Sequence, residues 1–143
     1  MEAGAPASLP ARGAQDVEAL RSLSALSHEA RLDAFRLLVH AGHNGMLAGE
    51  IAGRLGMRQN TMSTNLGILA RAGLVKSRRE GRGVRYRANM ERMGTLLVYL
   101  LGDCCGGRPD LCDAVVHSLR LSPAEDAEGE RAAEPPADRT SAA

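Results

Sequence analysis

Tryptophan is absent from this 143-residue chain, and aromatic residues amount to only 2%: Phe35, Tyr86 and Tyr99. Hydrophobic residues still make up 44% of it, so a core can form, but from Leu, Val, Ile, Met and Ala. That composition favours packed helices over an aromatic-rich sandwich. Also missing is any apolar run near the roughly 20 residues that cross a bilayer, so no membrane partner is expected. Met1–Pro10 has neither a basic start nor a hydrophobic stretch, so no secretory signal is expected and the expected location is cytoplasmic. Cysteine is scarce. Cys104, Cys105 and Cys112, two of them adjacent, make a poor disulfide framework; in a reducing cytosol they are thiols open to a metal, a metalloid or an oxidant. There is no phosphate loop, no acid–base pair and no His–Cys constellation with a visible cleft, so an enzyme is not expected.

Excess charge is lacking as well, the net being +1, but the distribution is uneven. Between Arg71 and Arg87 lie seven basic residues (Arg71, Lys76, Arg78, Arg79, Arg82, Arg85 and Arg87) against one acid, Glu80. After Ser122 the sign reverses, with six acids against Arg131 and Arg139. A near-neutral chain with one concentrated basic segment points to an anionic partner met at one place.

Residues 1–15 are Ala/Gly/Pro-rich and residues 121–143 Ala/Pro/acid-rich. Both read as disordered flanks, because neither buries enough apolar surface to offset its ordering entropy. The span 16–120 reads as one domain. Asp16 is the expected cap of a helix striped by Val17, Leu20, Leu23 and Leu26, and Ser27 that of a second one ending at Ala41-Gly42. A loop, His43-Asn44-Gly45, leads to a short helix through Leu47, Ile51 and Leu55 that stops at Gly56. Helical spacing resumes through Met62, Leu66, Ile68 and Leu69 to Ala72-Gly73. Leu74–Arg79 and Val84–Ala88 are extended in character, with Glu80-Gly81-Arg82-Gly83 as turn chemistry between them. Helical spacing returns at Met93, Leu96, Leu97, Leu100 and Leu101 until Gly106-Gly107. Pro109 suits the first position of a last helix carrying Leu111, Val115, Val116 and Leu119.

Two short helices joined at Gly56 and followed by a basic hairpin make the layout of a winged helix-turn-helix. The fold class expected is therefore mainly α with a small β-hairpin wing. Ala48, Gly49, Ala52 and Gly53 supply small residues where the two helices cross, and Gly56 the permissive backbone of the turn. The second helix fronts the major groove with its N-terminal end, where Arg58, Gln59, Asn60, Thr61, Ser63, Thr64 and Asn65 are polar while Met62, Leu66 and Leu69 turn inward. Arg and Gln can pair bidentately with guanine and adenine edges; Ser and Thr more often reach phosphates. In the wing, Arg78, Arg79, Arg82 and Arg85 are candidates for backbone phosphates or the minor groove. A polar helix face alone is usually just solvated, and an arginine run alone a soluble surface. Their order along the chain is what points to double-stranded DNA. The competing class is a protein-interaction module, for which Arg82→Ala or Gln59→Ala would leave function intact.

The run Leu55–Val75 (LGMRQNTMSTNLGILARAGLV) resembles the recognition-helix signature of the ArsR/SmtB repressors. Leu26–Leu32 resembles that family's opening segment and Arg82–Arg87 its wing, the match spanning roughly residues 17–103. The resemblance implies a homodimer that binds an inverted-repeat operator and leaves it when a metal or metalloid binds. It also implies helical dimerisation elements, the first helix pairing with the Met93–Leu101 helix across the axis. Leu96, Leu97, Leu100 and Leu101 agree, since they form a wider apolar face than one small domain readily covers.

The chain departs from the best-known members in its cysteines. Their arsenic ligands lie in the helix before the recognition helix, and Leu47–Leu55 has none. The Asp/His pairs of zinc-sensing members are missing from Met93–Leu101. Cys104, Cys105 and Cys112 instead resemble the cysteine trio of arsenite-responsive members, at the end of the dimer helix. On an unbroken helix the seven residues from Cys105 to Cys112 rise about 10.5 Å, whereas thiolates sharing one ion sit at most about 4.6 Å apart. Gly106-Gly107 and Pro109 supply the break that a shared site needs. Cys112 then falls in the first turn of the last helix, where the dipole favours a thiolate, although Asp103 opposes this locally. Three soft sulfurs suit three-coordinate As(III), with Sb(III) as a second choice; Zn(II) or Cd(II) would want a fourth ligand, for which His117 is nearest. A thiol-redox or persulfide switch at the same cysteines is the other alternative. His28, His40 and His43 are expected to be structural or exposed. No organic cofactor is expected.

Overall fold

The computed structural model describes residues 11–104, 106 and 108–121. Residues 1–10 and 122–143, where most of the two flanks fall, lie outside the described residues. The chain divides into two compact units, residues 1–106 and 107–143. The span 16–120 is thus split at Gly106.

The first unit runs α1 (Ala14–Leu26), α2 (Glu29–Ala41), a 3-10 turn (Gly42–Asn44), β1 (Met46–Leu47), α3 (Ala48–Arg54), α4 (Gln59–Arg71), β2 (Val75–Glu80), β3 (Gly83–Ala88) and α5 (Met90–Tyr99), which continues into one π-helical turn (Leu100–Cys104). In the second unit α6 (Pro109–Leu121) begins at the expected proline. The fold is mostly helical with one small antiparallel sheet, ordered β1-β3-β2.

The core lies where α2, α3 and α4 meet beneath the sheet. Ala34, Phe35, Leu38, Ile51, Met62, Leu66, Leu69 and Leu74 are buried there with Val75. Inward spacing of Met62, Leu66 and Leu69 on α4 is the helical period read from sequence. On α3, Ala48 and Ala52 are the small residues that are buried, while Gly49 and Gly53 are exposed.

Helix starts differ from the expected caps. Asp16 stands in the first turn of α1, where its Oδ2 accepts a 2.7 Å bond from the Gly13 N–H; it serves the exposed donors from inside the helix, as a capping-box carboxylate does. Ser27 turns back, its Oγ donating to the Ser24 carbonyl at 3.3 Å, and His28 is the residue that precedes α2. At α5 the cap is Asn89, whose Oδ1 accepts from the Arg92 N–H at 3.4 Å while its amide donates to the Gly73 carbonyl at 2.8 Å.

The two-residue strand β1 has no counterpart in the sequence pattern, where Leu47 reads as part of the following short helix; in the structure α3 starts only at Ala48. It pairs Met46 with Tyr86 and Leu47 with Arg85. Gly45 makes that approach possible: at φ +60° and ψ −163°, a region essentially reserved for glycine, a Cβ would stand 2.2 Å from the Tyr86 carbonyl oxygen.

Candidate nucleic-acid interface

The turn between α3 and α4 is built on local chemistry. Leu55 closes α3, and Gly56 takes φ +63°, the left-handed conformation that ends helices cheaply only at glycine. The Met57 N–H then donates back to the Ala52 carbonyl at 2.9 Å, so the chain reverses within a few residues. Leu47 donates its N–H to Glu50 Oε2 at 2.8 Å, which fixes the start of α3.

Arg58 precedes α4 in extended conformation, and Arg58, Gln59, Asn60, Thr61, Ser63 and Thr64 are all exposed. Six polar side chains therefore front the N-terminal two turns, with Met62 buried behind them. Thr64 Oγ1 donates to the Asn60 carbonyl at 3.1 Å, a bond that fixes its rotamer. The Gln59 amide reaches back over Gly49 of α3, where an added Cβ would be in ordinary contact at 3.5 Å.

Asn65 is a correction. It is buried, 7% exposed, and its Oδ1 accepts from Arg31 Nη1 at 3.3 Å, while Arg31 Nε donates to the Ala25 carbonyl at 2.6 Å. Asn65 thus ties α4 to α2 and to the end of α1, and cannot reach a base edge. The helical period held the signal: Asn65 lies three residues after Met62 and beside Leu66, on the inward stripe. Arg31, which no expectation singled out, is the residue that uses it.

The wing splits in the same way. Arg78, Arg79 and Arg82 are exposed, and among the described residues Arg79 and Arg82 have no ion-pair partner. Arg85 is committed. Its guanidinium forks onto Glu80, Nε to Oε2 at 2.7 Å and Nη2 to Oε1 at 3.2 Å, and Nη1 donates to the Asn44 carbonyl at 3.2 Å. This clasp joins the hairpin to the loop before β1, so Arg85 holds the wing in place rather than standing free for phosphate. The Arg85 hydrogen bond is the main reason the Glu80 carboxyl sits below its ordinary range, its partial burial acting the other way; the Arg85 guanidinium is raised in turn. Arg78 adds a long 3.8 Å contact to the same carboxylate.

Of the expected thiol ligands, Cys105 lies outside the described residues, as does the side chain of Cys104. Cys112 is half-buried in the first turn of α6, its N–H donating to the Arg108 carbonyl at 3.1 Å. Gly106 adopts φ +66°, a left-handed conformation in which a helix does not continue. Among the described residues no group of three or more metal-ligating side chains is assembled, and no helix is long and apolar enough to cross a membrane.

Comparison with known proteins fits this geometry. A helix-turn-helix domain family matches residues 26–78. The biofilm growth-associated repressor of Agrobacterium fabrum is 32% identical over 103 residues, covering 72% of this chain and 86% of that protein. Among solved structures, an ArsR-like transcriptional regulator from Rhodococcus sp. RHA1 superposes with a TM-score of 0.55 at 27% identity, over 72% of this chain and 92% of that one. A homodimeric winged helix-turn-helix DNA-binding domain from Mycobacterium bovis, a possible ArsR-family regulator, gives a TM-score of 0.50 at 28% identity, over 66% and 91%. These relatives are transcriptional regulators rather than enzymes, and the chain belongs with them to the ArsR/SmtB-like family of winged helix-turn-helix transcriptional regulators.

Proposed function

We propose that the chain is a homodimeric repressor which binds a double-stranded operator through α4 and the wing and is released when As(III), or Sb(III), binds Cys104, Cys105 and Cys112. The observation that carries the DNA half is the exposed polar front of α4, Arg58 to Thr64, beside the free wing arginines Arg79 and Arg82. Dimerisation is supported by apolar side chains left outside the core: Val17, Leu20 and Leu23 on α1, and Leu97 and Val98 on α5. Leu96 is buried within the unit, so Val98, 72% exposed, takes the place expected of it on the outward face. The solved Mycobacterium bovis domain, described as homodimeric, supports the same state.

The inducer half rests on donor chemistry. Three sulfurs suit a three-coordinate thiophilic ion better than zinc, and a shared site requires the chain to break out of the helix after Cys105, which the left-handed conformation of Gly106 supports. An ion held there would alter the end of the dimer helix and hence the spacing of two recognition helices, whose half-sites lie about one DNA turn apart. A coupling of about 1–3 kcal/mol weakens operator binding about 5- to 150-fold.

The test is operator binding by fluorescence anisotropy under reducing conditions, titrated separately with As(III), Sb(III), Zn(II) and Cd(II), for the wild type and Cys104→Ser, Cys105→Ser and Cys112→Ser. Release by As(III) that each substitution abolishes is the expected result. DNA binding that no ion releases, but that an oxidant or persulfide releases and reductant restores, overturns the metalloid reading in favour of a thiol switch.

A further inference from the structure

Helices α1 and α5 carry exposed apolar residues on their outward sides, but between them lies a polar group that the fold leaves unmet. Ser22 is 1% exposed, and among the described residues its Oγ has no hydrogen-bond partner. Buried hydroxyls are nearly always bonded, so one left bare calls for a partner that the chain itself does not supply. Ser22 lines a groove of about 400 Å³ between the two helices, a size within the range of small-molecule sites. Buried Ala19 and Leu96 make its apolar wall. The charged lining is already met within the unit, Arg92 pairing with Glu18, and Tyr99 Oη donates to Asp16 Oδ1 at 2.6 Å. Thr95 turns its hydroxyl back to the Glu91 carbonyl at 3.1 Å. This groove is not the expected dimer face. A helix turns about 100° per residue, which puts Ala19 and Ser22 on the side of α1 away from Val17 and Leu20. Of Val17, Leu20, Leu23, Leu97 and Val98, only Val98 lines the groove.

We propose that this groove binds a small uncharged molecule, an apolar body carrying one hydroxyl group, with the Ser22 hydroxyl as its hydrogen-bond partner. The body lies against Ala19 and Leu96, and the polar group reaches Ser22. The pairing of the lining charges sets the class. An ion of either sign would have to break the Arg92–Glu18 pair or the Tyr99–Asp16 bond to gain a counter-charge, whereas a neutral ligand leaves both in place. A serine hydroxyl both donates and accepts, so it gains its missing bond from an alcohol and gains nothing from a hydrocarbon. Gly102, in the π-helical turn that follows α5, also lines the groove, and single π-helical turns are frequent at functional sites.

The probes are benzyl alcohol and phenol, their hydrocarbon counterparts ethylbenzene and toluene, and benzoate and benzylamine as charged analogues. Each is titrated into the full chain and followed by amide shifts at residues 15–22 and 92–102. Wild type is compared with Ser22→Ala, which removes the hydroxyl at a helical position that alanine suits. Saturable shifts with the alcohols are expected, at higher affinity than with the hydrocarbons or the ions. Ser22→Ala should weaken the alcohols about fivefold or more and leave the hydrocarbons as they were. Without ligand, Ser22→Ala should melt no lower than wild type, because it loses no internal bond. Absence of saturable shifts, equal alcohol affinity in the two proteins, or tighter binding of an ion than of the alcohols overturns the proposal. So does a lower melting temperature for Ser22→Ala, which would show that the hydroxyl has a partner within the fold. None of these readouts depends on operator binding or on the cysteines.

Discussion

The recognition helix and the wing are made of similar material, polar side chains on a short element, but they assign roles by different physics. On α4 the role follows from position. A period of 3.6 residues sends Met62, Asn65, Leu66 and Leu69 inward and leaves Arg58 to Thr64 otherwise exposed, so the one buried amide is found on the apolar stripe. On the hairpin the role follows from partners. Arg82 and Arg85 both belong to the wing, yet Arg82 stands free while Arg85 is held by Glu80 and by the Asn44 carbonyl, 41 residues away in sequence. Helix geometry is carried within a few residues of chain, whereas a sheet brings together residues that sequence keeps apart.

The largest effect that separates the two regions is expected at the base of the wing. Gly45→Ala places a Cβ against the Tyr86 carbonyl oxygen in backbone that only glycine adopts readily, and should cost about 3 kcal/mol or more from strain plus overpacking. Gly81→Ala, at the hairpin tip, also has φ +60° but nothing within 4 Å, and should cost about 1–2 kcal/mol. Urea unfolding of the two variants checks this; equal losses would mean that the β1–β3 approach contributes nothing to stability.

Next come two substitutions on α4 that should fail in opposite ways. Asn65→Ala removes the acceptor of Arg31 and should cost about 1–3 kcal/mol of stability, while the operator affinity of the folded fraction stays near wild type. Gln59→Ala should leave stability within about 0.5 kcal/mol and weaken operator binding by about 1–3 kcal/mol. Unfolding and anisotropy on both proteins decide the matter: a stable Asn65→Ala protein that has lost affinity would return Asn65 to the DNA-facing set.

This division also explains what could be read before the structure. Element order, the Gly56 turn, the hairpin and the start of α6 at Pro109 all depend on local chemistry, and all were legible. So was the inward stripe of α4; its own period argued against treating Asn65 as a reader. The strand Met46–Leu47 is too short to show a period of two, and Gly45 looked like an ordinary loop residue because the carbonyl it must clear belongs to Tyr86. The clasp on Arg85 is hidden from the sequence for the same reason. Nothing near it in sequence announces the Asn44 carbonyl, although Glu80, the lone acid in a basic run, was a visible partner. Caps were the other failure: Asp16 and Ser27 had the right chemistry but lie within one turn of their expected places, where tertiary packing sets the boundary.

A smaller effect distinguishes the wing arginines by salt. Arg82→Ala should lower the slope of log affinity against log salt by about 0.9, the loss of one phosphate contact, with a uniform fall in affinity across sequences. Arg85→Ala should leave that slope unchanged, because its charge is already met by Glu80. A matching drop in both variants would show that the clasp opens on DNA and that the two arginines are equivalent there.

The smallest effect tests the clasp through pH. Arg85 holds the Glu80 carboxyl below its ordinary value of 4.5 in the folded protein. A carboxyl depressed on folding adds stability that is fully present above its unfolded value and is lost as pH falls through the folded one. The difference in urea midpoint between wild type and Glu80→Gln should therefore be constant near neutrality, shrink once pH drops below about 4.5, and be small throughout because the pair is solvent-screened. Freed of its carboxylate, Arg85 keeps only the Asn44 carbonyl, so Glu80→Gln should also bind operator more tightly at low salt and show a steeper salt slope, by about one contact. If the slope is unchanged, the Asn44 bond alone commits Arg85, and loop geometry rather than charge pairing sets which wing arginines are free to meet DNA.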